Sequence, residues 1–96
     1  MYATIRRYGH VAGSSEDVAR AGRDLATILC KAPGFVSYAV LGVEDGGCAA
    51  VSLFESRADL DEADRLVTQW TAEYLAGLLP DAPEITSGEV LAQRGI

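Results

Sequence analysis

Residues Tyr2 to Tyr8 alternate with the two-residue period of a strand, placing Ala3 and Ile5 on one side and Tyr2, Thr4, Arg6 and Tyr8 on the other. After a break at Gly9 to Gly13 the period changes to that of a helix. Val18, Ala21, Gly22, Leu25, Ile28 and Leu29 recur at spacings of three and four, while Arg20, Arg23 and Asp24 fall mainly outside that stripe. Ser14 or Ser15 can accept a backbone N–H at the helix start, and Glu16 and Asp17 suit its positive end. Gly22 lies on the apolar stripe, where glycine costs about 1 kcal/mol relative to alanine; its presence predicts close approach of a neighbouring element.

Pro33-Gly34 ends this helix, and Phe35 to Val43 is apolar or small at nearly every position. Alternation puts Phe35, Ala39 and Leu41 on one side of that strand and Val36, Tyr38 and Val40 on the other, and neither side is polar. Glu44-Asp45-Gly46-Gly47 contains an Asp-Gly step suited to the positive φ of a tight turn, and Cys48 to Glu55 runs back to complete a hairpin. Ser56 with Asp59 three residues on forms a capping pattern. Leu60, Ala63, Val67, Trp70, Thr71, Tyr74 and Leu78 then trace a second helix, with an interruption expected near Thr71 and an Asp61–Arg65 pair at i,i+4. Pro80 and Pro83 close it, and Glu84 to Gln93 alternates as a final strand.

The order is βαββαβ. Its simplest layout is an α+β, ferredoxin-like fold: a four-stranded antiparallel sheet with both helices on one face. The central hairpin is apolar on both sides, so the face away from the helices also needs cover, and in so short a chain a second molecule must supply it. A homodimer joined through its sheets is the expectation.

Composition narrows the function. A chain of 96 residues, 49% hydrophobic and 23% charged, suits one packed domain spanning 1–96. Eight basic residues against 14 acidic ones give a net charge of −6, which argues against nucleic-acid binding. The longest apolar run, Ala39 to Val43, is far short of a membrane helix, and the alternating start MYATIRRY reads as a strand and not a signal peptide; a cytoplasmic location follows as the expectation. Cys30 and Cys48 lack a Cys-x-x-Cys spacing and are expected to be reduced core residues.

Three segments carry a resemblance: the opening strand Met1-Tyr2-Ala3-Thr4-Ile5, the segment Ala32-Pro33-Gly34-Phe35-Val36-Ser37-Tyr38, and Val51-Ser52-Leu53-Phe54-Glu55-Ser56 entering the second helix. Together they make the chain resemble the antibiotic-biosynthesis monooxygenase-like members of the dimeric α+β barrel superfamily, over nearly its whole length. The resemblance implies two ferredoxin-like sheets packed as a dimeric α+β barrel. It also implies a pocket between sheet and helices for a flat, largely apolar, aromatic or polyketide-like molecule. Relatives include cofactor-free oxygenases of aromatic polyketides, quinol oxygenases and haem degraders. The haem degraders use an Asn on the first strand, a Trp on the second helix and a His on iron. This chain has no Asn and a single His, His10, just after the first strand, so no haem is expected.

The sequence contains no Gly-rich phosphate loop, no nucleophile elbow, no His-Glu-x-x-His and too few His and Cys for a zinc site. No cofactor and no metal are expected, and no residue is singled out as catalytic. Candidates for lining the pocket are Tyr2, Arg6, Tyr38, Trp70 and Tyr74, with His10 as a base at its mouth. In a cofactor-free oxygenase the deprotonated substrate itself supplies electrons to dioxygen, and Arg6 would hold its phenolate. Most of these candidates also have a structural use: Trp70 and Tyr74 as core or dimer contacts, Arg6 paired with Glu89 or another acid across strands, Tyr38 as packing, and His10 as an exposed loop residue. The functions in view are a cofactor-independent monooxygenase, a non-catalytic ligand-binding or interaction module, and a polyketide isomerase or cyclase.

Overall fold

A computed structural model describes residues 1–95. Its elements are β1 (Tyr2–Tyr8), α1 (Ser15–Leu29), β2 (Phe35–Gly42), β3 (Cys48–Phe54), α2 (Arg57–Tyr74) and β4 (Glu84–Glu89). The four strands form one sheet in the order β2-β3-β1-β4, with every neighbouring pair antiparallel. This is the ferredoxin-like arrangement that the element order predicts.

Local chemistry starts both helices. Ser14 caps α1 with a reciprocal box: its hydroxyl accepts from the Asp17 N–H at 3.2 Å, and the Asp17 carboxylate accepts from the Ser14 N–H at 2.9 Å. That pair of hydrogen bonds holds the Asp17 carboxyl below its usual range, with Arg20 adding to the effect. Ser56 caps α2 by accepting from the Asp59 N–H at 3.1 Å. The helix runs unbroken to Tyr74, and the Leu75 N–H donates to the Thr71 carbonyl at 2.9 Å. The interruption expected at Thr71 is absent, because a β-branched residue costs a helix only tenths of a kcal/mol and removes no backbone bond. Asp61 pairs with Arg57 at 3.3 Å, and Arg65 turns instead to Glu62, 2.8 Å away.

Pro33-Gly34 is a tight turn. The Phe35 N–H donates to the Ala32 carbonyl at 3.3 Å, and Gly34 has φ +74°, the pattern of a type II turn with proline second and glycine third. The Gly34 carbonyl then accepts from the Glu55 N–H at 2.8 Å, tying the turn to the end of β3. A register shift between Phe35 and Ser37 puts Phe35 opposite Phe54 and into the core, where the two rings meet edge to face with centroids 5.8 Å apart. Simple alternation groups Phe35 with Ala39 and Leu41; the bulge moves it to the helix side.

The helix side of β1 carries Tyr2, Thr4, Arg6 and Tyr8. In register with them stand Phe54, Ser52, Ala50 and Cys48 of β3. Leu25, Leu29, Phe54, Leu60, Ala63 and Val67 make the buried core where α1, α2 and the sheet meet. Gly22 is placed as its stripe position predicts: a Cβ there would lie 3.2 Å from Cγ2 of Val40 on β2. On the opposite face of the sheet Ile5 and Leu41 remain 46% and 50% exposed, beside Ala39, Ala49 and Val51.

Strand β4 stops at Glu89, short of the expected Gln93, because its partner β1 ends there: Tyr2 faces Glu89, and a last bond joins the Val90 N–H to the Met1 carbonyl at 2.9 Å. Of the two cysteines, Cys48 is buried as expected, but Cys30 is exposed at the end of α1, one position past Leu29 and off the apolar stripe. No helix among the described residues is long and apolar enough to cross a membrane.

Candidate functional site

Between the sheet and the two helices lies a narrow cleft of about 40 Å³, part of it open to solvent. Its sheet wall is made by Arg6, Tyr8, Tyr38, Val40, Cys48 and Ala50. Val18, Ala21, Gly22 and Leu25 of α1 form one side, and Val67 and Thr71 of α2 form the other. The missing Cβ of Gly22 leaves α1 close to Val40 at this point. Leu75, Leu78 and Leu79, in the turns after α2, close one end, held to the loop before α1 by the Ala12 N–H donating to the Leu78 carbonyl at 2.9 Å.

Arg6 is the one charged residue in that lining, and it is only 5% exposed. Its Nη2 donates to the Asp64 carbonyl oxygen at 3.0 Å and to Thr68 Oγ1 at 2.8 Å. Thr4 Oγ1, also buried, donates to Asp64 Oδ2 at 2.7 Å, so β1 and α2 are joined by polar contacts on both sides of Asp64. Arg6 makes no ion pair among the described residues, which corrects the cross-strand pairing with Glu89. Register sets Arg6 opposite Ile85 and Ala50 and places Glu89 opposite Tyr2. Among the described residues Nε and Nη1 of Arg6 make no hydrogen bond, yet no fully enclosed side-chain nitrogen of those residues lacks a partner. Those two nitrogens therefore face open space, at the cleft or at the groove between α2 and β4 that Arg6 also borders.

Tyr38 lines the same cleft from β2, and its phenol is pushed up to about 12, first by burial and then by Tyr8 and Cys48, with Arg6 partly opposing. It stays a neutral donor across the physiological range. Burial also raises the Cys48 thiol, so it stays protonated at neutral pH.

The structure thus brings together Arg6 and Tyr38 of the sequence candidates. Tyr2 and Trp70 pack instead against the core cluster, and Arg57 sits over the Tyr2 ring at 6.0 Å. Tyr74 is 64% exposed, its ring 5.5 Å from that of Trp70. His10 is exposed in the loop after β1 and does not line the cleft. Sequence reasoning did not select Tyr8, Cys48, Thr71 or the leucines after α2. Tyr8 and Cys48 were available from strand alternation and hairpin register, and Leu78 from the helical stripe, which the sequence carries past Tyr74 although α2 ends there.

No protein-family model matches the sequence, and no curated protein is significantly similar to it. Solved structures do match in fold. SnoaB, a cofactor-independent oxygenase from Streptomyces nogalater, superposes with a TM-score of 0.76 at 17% identity, over 96% of this chain and 94% of its own. NE2512 of Nitrosomonas europaea, a protein of unknown function, gives 0.80 at 18%, over 99% and 93%. MhuD, a haem degrader from Mycobacterium tuberculosis solved with two haems in its active site, gives 0.72 at 18%, over 99% and 100%. The chain has the fold of the antibiotic biosynthesis monooxygenase-like proteins. Within that monooxygenase-like fold, the cleft of this chain does not fit a haem. Its single imidazole, His10, lies outside the lining, which therefore offers iron no histidine.

Proposed function

We propose that this protein is a homodimer of single-domain subunits, each binding a flat, largely apolar, aromatic or polyketide-like molecule in the cleft between sheet and helices. The observation that carries this reading is the cleft's make-up: mostly apolar walls with a few polar groups, Arg6, Tyr8, Tyr38 and Thr71. Such a lining favours a molecule that buries apolar faces and offers one or two oxygens. Arg6 receives an acidic oxygen, and neutral Tyr38 donates to a carbonyl or quinone oxygen. Support for the dimer comes from the apolar outer face of the sheet, where Ile5 and Leu41 stand half exposed.

The reaction we propose is cofactor-independent oxygenation, and the fold shared with SnoaB supports it. An anthrone serves as the example: its enolate, held at Arg6, gives electrons to dioxygen, one oxygen atom becomes the new carbonyl, and the other leaves as water. The cleft's part is to bind the anion, exclude water and hold Tyr38 as a donor.

Oxygen uptake with a panel of anthrones and hydroquinones tests this. Uptake by the intact protein that falls at least tenfold in Arg6→Met is the expected result. Binding without uptake would refute oxygenation and leave a ligand carrier, or an isomerase or cyclase to be sought by product analysis. Absence of both binding and uptake would refute the whole reading.

A further inference from the structure

Arg6 borders two spaces, the apolar cleft and the open groove between α2 and β4, which is lined also by Asp61, Asp64, Arg65, Thr68 and Ile85. A buried guanidinium is driven toward a carboxylate wherever one is within reach. Asp61 and Asp64 lie on the groove side, yet Arg6 pairs with neither carboxylate; Asp64 Oδ2 is occupied by Thr4 at 2.7 Å and Asp61 by Arg57 at 3.3 Å. What holds the guanidinium is neutral. Both Nη2 hydrogens are used, one by the Asp64 carbonyl and one by the Thr68 hydroxyl, leaving Nε and Nη1 without partners among the described residues.

The carbonyl cannot be altered without breaking α2, whereas the hydroxyl is one side-chain atom on an exposed helix position. We propose that Thr68 is a positioning residue: its hydroxyl fixes the Arg6 guanidinium as the anion contact of the cleft and so sets the preference for a charged over a neutral ligand. This rests on the ligand-binding reading of the cleft. With the hydroxyl gone, one Nη2 hydrogen is free. The head is then held by the Asp64 carbonyl alone, and its place at the cleft is no longer fixed.

A pair of flat probes differing in charge, 2-naphthoate and 2-naphthamide, tests this by titration calorimetry on the intact protein. The quantity read is the ratio of the two affinities, which a general loosening of the fold would not move. The intact protein favours naphthoate, and Arg6→Met brings the ratio close to one. Thr68→Val lowers the ratio about tenfold, the loss of one hydrogen bond to a charged group. Thr68→Ser, which restores the hydroxyl, keeps it within about threefold of the intact protein's, and Thr68→Ala stands in for valine if that variant misfolds. An unchanged ratio in Thr68→Val, alongside its loss in Arg6→Met, would overturn the role of Thr68 and leave the cleft reading standing. Equal weakening of both probes would also overturn it, as a packing effect. If the intact protein binds neither probe, the cleft reading fails and this inference with it.

Discussion

Replacing Gly34 by alanine tests whether the Pro33-Gly34 turn specifies the join between α1 and the hairpin. Gly34 has φ +74°, which costs an L-residue about 1–2 kcal/mol. A Cβ built there would also collide with Asp59 Oδ2 and stand 3.0 Å from Asp59 Cβ, so the Asp59 side chain has to leave its rotamer, for about 0.5–1.5 kcal/mol more. The Ser56 cap survives, because it uses the Asp59 backbone N–H. Gly34→Ala is therefore expected to lose about 1.5–3.5 kcal/mol in all. Urea unfolding at one fixed protein concentration measures it, with the m-value unchanged. In a double-mutant cycle with Asp59→Ala, the carboxylate's share of the collision is recovered, while the backbone share of about 1–2 kcal/mol and the 3.0 Å approach to the Cβ at position 59 stay. A Gly34→Ala protein within about 0.5 kcal/mol of the parent, or a cycle with no coupling, would refute the reasoning.

Two further outcomes are expected. The Tyr38 phenol sits at about 12 against an ordinary 10, so the folded state holds this proton more tightly than the unfolded chain. Stability is then unaffected below pH 10 and falls between pH 10 and 12 by on the order of 2–3 kcal/mol. Tyr38→Phe should flatten that share of the alkaline loss in urea titrations at about pH 9 and 11.5, and equal slopes in both proteins would contradict it. On the outer face, Ile5→Lys should raise the dissociation constant of the proposed dimer at least tenfold by sedimentation, since it puts a charge where about 1.5–3 kcal/mol of apolar burial is expected. An intact protein that is a monomer at micromolar concentration would refute the dimer itself.

Much of this architecture was legible because hydrophobic period and turn chemistry agree along the chain. The Gly22 approach, the Ser14 and Ser56 caps and the Asp45-Gly46 hairpin each rest on a local rule that packing then reinforces. What was not legible depended on partners distant in sequence. Alternation puts Thr4 and Arg6 on one side of β1, but nothing local names their partners, Asp64 and Thr68, which arrive with α2 about 60 residues later. The bulge that turns Phe35 inward leaves no mark in an apolar run where every residue suits either face. For the site, residue type was a poor guide to place. Trp70 and Tyr74 attract notice as aromatics on the stripe of α2, yet the helix presents Val67 and Thr71 to the cleft.

The two thiols stand in opposite settings: Cys30 open to solvent, Cys48 in the cleft wall and held protonated by burial. The molecule thus carries its own occupancy gauge. A small alkylating reagent marks the outer sulfur quickly and the inner one slowly, and any compound that fills the cleft slows the second without touching the first. The ratio of the two labelled peptides by mass spectrometry then screens compound collections for occupants, whatever chemistry follows their binding.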